Sequence, residues 1–342
     1  MKIRYPRPLL PGDQIGVTSP SSGVPEELIG RLDFAVEELR AKGFDVVIGR
    51  CMDGSSHISA PAKERADELM RMLLDPKIRA VVPPWGGVTV IDIIDLLDFD
   101  ALAEAEPTWF VGFSDISTLL TPITLRTGMA TLHGSNLMDT PYQVPEALKS
   151  WIEIASLPAG SSFRQSSPGL YRASDWDDWE VDPKATEHQW NGSGRWERLD
   201  SGRGAVHATG RLIGGCIETL ANLTGTGNFD SQALRQDDDD ALIVYVEASS
   251  VEATTICRHL HGLRMAGLFD GAQAVLIGRT SAPDSPTLTQ HEAVVDALGM
   301  LDIPLIANVE CGHVPPQLPI VNGALGRVVF NDAEQYLEQH LL

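Results

Sequence analysis

The sequence is short of cysteine, of positive charge and of long apolar runs, and each shortage removes a class of function. Four cysteines stand among 342 residues (Cys51, Cys216, Cys257 and Cys311), with no C-x-x-C pair. That pattern offers neither a disulfide framework nor zinc-ligand spacing, so no metal is expected. Lys and Arg total 26 against 47 Asp and Glu, a formal net charge of −21. Nucleic acid and anionic membrane surfaces repel such a molecule, and neither is expected as a partner. No stretch reaches the roughly 18 consecutive apolar residues of a membrane span. Residues 1–11 lack the apolar centre of a secretory signal, so a cytoplasmic, thiol-reduced setting is the expectation. There is no G-x-x-x-x-G-K-[ST] phosphate loop and no H-E-x-x-H, and Gly225-Thr226-Gly227 lacks the third glycine of a dinucleotide fingerprint. No cofactor is called for.

What is present is an ordinary globular composition, 43% hydrophobic and 21% charged, long enough for two domains. Strand-like runs at 14–18, 44–48 and 80–82 alternate with helical patterns at 26–42 and 62–74, and a further helix begins near Val90. This alternation predicts an α/β fold with a parallel sheet covered by helices. A short strand is predicted at 130–134, and Pro141 to Ser167 reads as a helix leaving the first domain. The second half opens with 207–216 and repeats the pattern, with strands at 241–246, 274–277, 304–309 and 328–330 and helices at 217–223, 252–265 and 289–298. The run Asp237 to Asp240 reads as a solvated loop. The boundaries that follow are 1–168, an insert at 169–204, and 205–342.

The chemistry points to Trp109–Ser117, where an apolar run passes through Gly112-Phe113-Ser114-Asp115 into helical spacing. A serine on a sharp strand-to-helix turn has an exposed hydroxyl, and the helix start beyond it offers free N–H groups to a developing anion. Ile116 stands where the usual G-x-S-x-G elbow has its second glycine, so helix capping by Ser114 is the competing reading. Gly86-Gly87 follows another strand and can turn an N–H into the same pocket, or simply make a turn. His133 either lines the site or is a structural histidine. Glu247 and His313 each follow a strand of the second half, and beside Ser114 they would complete a Ser–His–Glu relay.

Residues 169–204 differ in texture. Trp176, Trp179, Trp190 and Trp196, four of the seven tryptophans, sit there among Asp, Gly, Ser and Asn without a regular period. Disordered segments are poor in aromatics, so an ordered lid with stacking side chains is expected, about two of the indoles serving as anchors.

Taken together, Pro11–Val17 with Ser19-Pro20-Ser21-Ser22, Gly86-Gly87, Val111–Ser117, Leu132-His133-Gly134, Gly210–Gly215, Val246-Glu247 and Gly312-His313 make the chain resemble the LD-carboxypeptidase family of serine peptidases, its microcin self-immunity branch most of all. The resemblance implies a Rossmann-like N-terminal domain, a smaller C-terminal α/β domain with the catalytic cleft between them, and a homodimer. It implies Ser114 as nucleophile, Glu247 and His313 as its partners, and the Gly87 and Asp115 amides as the oxyanion hole. Gly86 would line the substrate site. Members cleave either the amide of an aminoacyl- or peptidyl-nucleotide conjugate, stacking a loop tryptophan on the base, or the terminal D-alanine of murein tetrapeptides. The long insert favours the nucleotide conjugate, with Trp190 and Trp196 as candidate stackers and Trp176 behind them. Cys216 and Pro83-Pro84-Trp85 depart from the family pattern and bear on the substrate. A binding protein without turnover is the alternative from another class.

Overall fold

Short strands, buried except for the exposed edge strand at 45–48, alternate with helices to build the first sheet. The computed structural model describes residues 1–202, 204–235 and 241–342. Strands β1 (Gln14–Val17), β2 (Asp45–Ile48), β3 (Ile78–Val81), β4 (Trp109–Gly112) and β5 (Thr131–His133) are mutually parallel. Helices α1 (Ile29–Ala41), α2 (Ala62–Leu74), α3 (Phe99–Glu104) and α4 (Ser117–Thr127) connect them. β3 and β4 are buried at every residue; β4 reads as an unbroken apolar run, while β3 carries Arg79 within it.

The predicted helix from Pro141 to Ser167 does not form. Only α5 (Trp151–Ala155) is helical, started by a capping box between Ser150 and Glu153. Pro141, Pro145 and Pro158 punctuate the stretch, and proline removes a donor and pushes the preceding residue away from helix. The chain then turns into strand β6 (Ser162–Ser166).

Within the insert lie three two-residue strands, β7 (Leu170–Tyr171), β8 (Gly192–Ser193) and β9 (Glu197–Arg198). Beyond it come β10 (Val206–Cys216), α6 (Ile217–Leu220), β11 (Leu242–Glu247), α7 (Ala253–Met265), β12 (Ala272–Gly278), α8 (Gln290–Leu298) and β13 (Leu305–Val309). The chain closes with β14 (Ile320–Asn322), β15 (Leu325–Phe330) and β16 (Gln335–His340). The run at 237–240 lies outside the described residues.

The second sheet has the order β6-β16-β15-β10-β11-β12-β13-β9, parallel from β10 to β13 and antiparallel outside that block. Two strands tie the sheets together. β14, late in the chain, pairs antiparallel with β5 and completes the first sheet in the order β14-β5-β4-β3-β1-β2, while β6 joins the second. Asn322 on β14 accepts from the Tyr245 hydroxyl of β11 (2.8 Å) and donates to Thr131 Oγ1 of β5 (3.1 Å). The carboxyl ends of the two parallel blocks therefore meet, and ligands of α/β sheets gather at such ends.

Candidate active site

Ser114 follows β4 with a φ of 62°, in the left-handed region that a residue with a Cβ rarely adopts. Strain of this kind persists where the surroundings over-determine it, commonly at reacting residues. A short 3-10 turn, Ser114–Ile116, leads into α4, and no side chain caps either element. The Ser114 hydroxyl is engaged elsewhere: its Oγ lies 2.9 Å from His313 Nε2. Helix capping by Ser114 is thereby set aside.

The neighbouring loops are built around this turn. A Cβ on Gly86 would lie 2.9 Å from Ser114 Cβ and 3.2 Å from the Asp115 nitrogen, so only glycine admits the loop after β3 so close. Gly87 has φ 146°, and a Cβ there would strike Ser21 Oγ. The Asp115 carboxylate fastens these pieces: its Oδ2 accepts from Ser21 Oγ (2.6 Å) and from the Val90 amide (2.9 Å). Burial pushes its carboxyl up, with those hydrogen bonds opposing. The Trp85 indole donates to the carbonyls of Ser22 and Gly23, holding the β1 and β3 loops together.

From the second sheet, Glu247 ends β11 with no exposed surface, and its Oε2 lies 2.7 Å from His313 Nδ1. Burial pushes the Glu247 carboxyl up, but His313 and then His133 more than reverse this and hold it below its ordinary value. Burial pulls the His313 imidazole down, and Glu247 overcomes it, so the ring binds its proton more tightly than usual. Phe113 packs edge-on against His313 at 5.0 Å between ring centroids. A hydroxyl, an imidazole and a carboxylate in this chain can pass a proton from oxygen to nitrogen while the carboxylate steadies the resulting imidazolium.

Beside His313 opens a cavity of about 260 Å³ lined by Asp139, Tyr142, Trp176, Trp179, His188 and Pro316, among others. Tyr142 and His188 are stacked at 4.0 Å and 14° between planes. Burial, and then Arg172, bring His188 down to about 4, so it is neutral near pH 7. Buried Arg31 donates to the carbonyls of Met138, Pro183 and Ala185 and lies 4.8 Å from the ring centroids of both Tyr142 and Trp179. The insert is thus fastened to the first sheet's loops.

The indoles divide differently from the sequence reading. Trp196 is 3% exposed, its Nε1 donating to Glu310 Oε2 at 2.7 Å, so it anchors the insert and cannot stack on a ligand. Trp190 is absent from the lining and packs against His188 at 5.1 Å. Trp176, 52% exposed, faces the cavity, as does Trp179, whose Nε1 donates to the Tyr142 hydroxyl. Trp179, Tyr142, His188 and Asp139 were missed as lining residues; for Trp179 alone, its place among the clustered tryptophans was a signal.

Among the described residues, one group of His, Cys and carboxylate side chains has metal-compatible spacing: Cys257, His261 and Asp296, on the outer face of α7 and α8. These atoms already satisfy one another. Asp296 Oδ1 accepts from His261 Nε2 (2.9 Å) and Cys257 Sγ (3.4 Å), while Arg264 donates to His261 Nδ1. That tautomer leaves Nε2 without a lone pair for an ion, and the guanidinium would oppose a dication. No helix among the described residues is long and apolar enough to cross a membrane.

Residues 15–134 match the LD-carboxypeptidase N-terminal domain and residues 209–328 the LD-carboxypeptidase C-terminal domain. The chain is 27% identical to the microcin C7 self-immunity protein MccF of Escherichia coli over 96% of both chains. With the murein tetrapeptide carboxypeptidase of Pseudomonas aeruginosa it shares 26% identity over 43% of this chain and 49% of that one. A solved structure of MccF in complex with glutamyl sulfamoyl guanosine superposes with a TM-score of 0.82, at 23% identity and covering 98% of each chain. With both family domains matched, one after the other along the chain, the chain belongs to the LD-carboxypeptidase family of serine peptidases.

Proposed function

We propose that this protein is a serine carboxypeptidase or amidase that hydrolyses the amide of an aminoacyl- or peptidyl-nucleotide conjugate through an acyl-enzyme. The observation that carries the catalytic part is the unbroken contact chain from Ser114 Oγ through His313 to Glu247. Ser114 Oγ attacks the scissile carbonyl as His313 Nε2 takes its proton. The amides of Gly87 and Asp115 receive the oxyanion. The C–N bond then breaks, His313 returns the proton to the departing nitrogen, and Ser114 is left acylated. Water, deprotonated by His313, attacks the ester, and the carboxylate leaves as Ser114 recovers its proton.

The substrate part rests on the cavity. Trp176 and the Tyr142–His188 pair offer flat aromatic surface beside His313, which suits a nucleobase; D-alanine has no flat face to use it. MccF binds glutamyl sulfamoyl guanosine, a ligand of the same class. One observation favours murein tetrapeptide cleavage instead: Lys149 lines the cavity and could meet a free carboxylate. The family resemblance adds a homodimer and a cytoplasmic location to this reading; molar mass in solution, measured by light scattering, tests the first. Ser114→Ala is expected to lower turnover of aspartyl-sulfamoyl adenosine by about 10⁴- to 10⁶-fold with the fold intact. Hydrolysis unchanged in that variant sinks the assignment. Failure of a fluorophosphonate to label Ser114 points to a binding protein, and preference for the tetrapeptide points to murein.

A further inference from the structure

Two buried polar atoms next to the catalytic chain lack any hydrogen-bond partner among the described residues: Glu247 Oε1 and His133 Nε2. They face each other at 4.0 Å. His133 ends β5 with 1% of its surface exposed, and its ring is wedged between Tyr245 (5.1 Å) and Phe113 (6.3 Å). Leaving a buried donor or acceptor unmatched carries its full desolvation penalty, larger still for a carboxylate. Two such atoms facing each other, each with unused hydrogen-bonding capacity, form one incomplete hydrogen bond. The gap exceeds a normal bond by about 1 Å, which a small rotation of either side chain closes.

We propose that His133 is a positioning residue that donates its Nε2 proton to Glu247 Oε1, so that the carboxylate is held by two histidines and its Oε2 stays aimed at His313. This rests on the catalytic reading given above. Burial brings His133 down to about 4, so near pH 7 the ring is neutral and carries one N–H. The tautomer with that proton on Nε2 supplies a donor to the carboxylate; the other would set two lone pairs against each other. The remaining groups facing Glu247 are the thiols of Cys216 and Cys311 and the Tyr245 hydroxyl, all pushed well above their ordinary values by burial and so neutral. Asp139 and Glu218 act on His313 from a distance.

The physical consequence is a tuned base. A donor on Oε1 spreads the carboxylate charge and lowers its hold on the His313 proton. Without it, Oε2 is the stronger base, the Glu247–His313 pair keeps its proton to higher pH, and less His313 is free to accept from Ser114.

The test is the rate of fluorophosphonate labelling of Ser114 against pH, which needs no knowledge of the natural substrate. His133→Phe keeps the ring and removes the donor. His133→Gln puts an amide N–H at similar reach. The Phe variant is expected to label about 10-fold more slowly at neutral pH, its acid-limb midpoint raised by about 0.5–1 unit. The Gln variant is expected to keep the wild-type midpoint and to stay within about 3-fold in rate. Thermal melting of both variants confirms that each is folded. An unmoved midpoint in folded His133→Phe, or equal losses in the two variants, overturns the proposal. Absence of labelling in the wild-type protein overturns instead the catalytic reading beneath it.

Discussion

Replacing Glu247 by Gln preserves shape and removes charge at the buried end of the Ser114–His313–Glu247 contact chain, and under the proposed mechanism its effect can be worked from the geometry. His313 Nδ1 sits 2.7 Å from Glu247 Oε2 with the carboxylate wholly buried. In the transition state of the proposed mechanism the imidazole carries a full positive charge, which the carboxylate stabilises and a neutral amide does not. Two unit charges about 4 Å apart at an effective dielectric of about 20 interact by about 4 kcal/mol. The Gln carbonyl can still accept from Nδ1, so that bond is not lost, and the deficit is mainly the charge term. Glu247→Gln is therefore expected to slow acylation by about 10³-fold.

The assay is fluorophosphonate labelling and conjugate hydrolysis across pH, and the acid limb should move as well. Glu247 is what keeps the His313 proton affinity above its ordinary value against burial. Without it, burial governs, and the limb shifts to lower pH while the plateau falls. Stability should follow the same pair. The raised imidazole contributes below its unfolded value of 6.5 and loses that contribution as pH rises through its folded value. The lowered carboxyl contributes above its unfolded value of 4.5 and loses that contribution as pH falls through its folded value. The melting-temperature difference between wild type and Glu247→Gln should therefore be largest between those two values. A loss below about 10-fold at every pH would refute the assignment of Glu247 as the imidazole's partner.

Other outcomes follow from the site. Trp176→Ala should raise KM for a nucleotide conjugate by about 10-fold with little change in kcat, since stacking on a base contributes about 1–3 kcal/mol; an unchanged KM removes Trp176 from the substrate site. Trp196→Ala should instead cost about 3–5 kcal/mol of stability in denaturant unfolding, because it empties a buried site and removes the indole donor from Glu310 Oε2. Gly86→Ala should abolish labelling of Ser114 while the protein stays folded, its methyl lying 2.9 Å from Ser114 Cβ; a normally reactive Gly86→Ala would show that the loop after β3 does not abut Ser114.

Much of the fold was readable because periodicity is a local property. Helix α2 occupies 62–74, the span its amphipathic pattern predicts, bounded by Pro61 and Asp75. Strand β16, by contrast, reads Gln-Tyr-Leu-Glu-Gln-His, with no apolar run to announce it, and exists because β15 and β6 flank it. β14 is three residues long and is held by β5, nearly two hundred residues earlier in the chain. The pairing of His133 with Glu247 was equally hidden, since a histidine at a strand end looks the same whether it faces solvent, core or carboxylate.

The sequence by itself determined the strand–helix alternation and the residue types at the strand ends: Gly86-Gly87, Ser114, Glu247 and His313. Side chains that follow a buried strand must emerge at the sheet's carboxyl edge, so their chemistry could be read before their contacts were known. Tertiary structure alone decided the rest. It brought His313 to Ser114 across 199 positions of chain. It also turned Trp176 and Trp179 toward the cavity and Trp196 into the protein. An irregular loop has no repeat that ties side-chain direction to sequence position, so the direction of each indole is set by what the folded surroundings offer it: Glu310 for one, the Tyr142 hydroxyl for another.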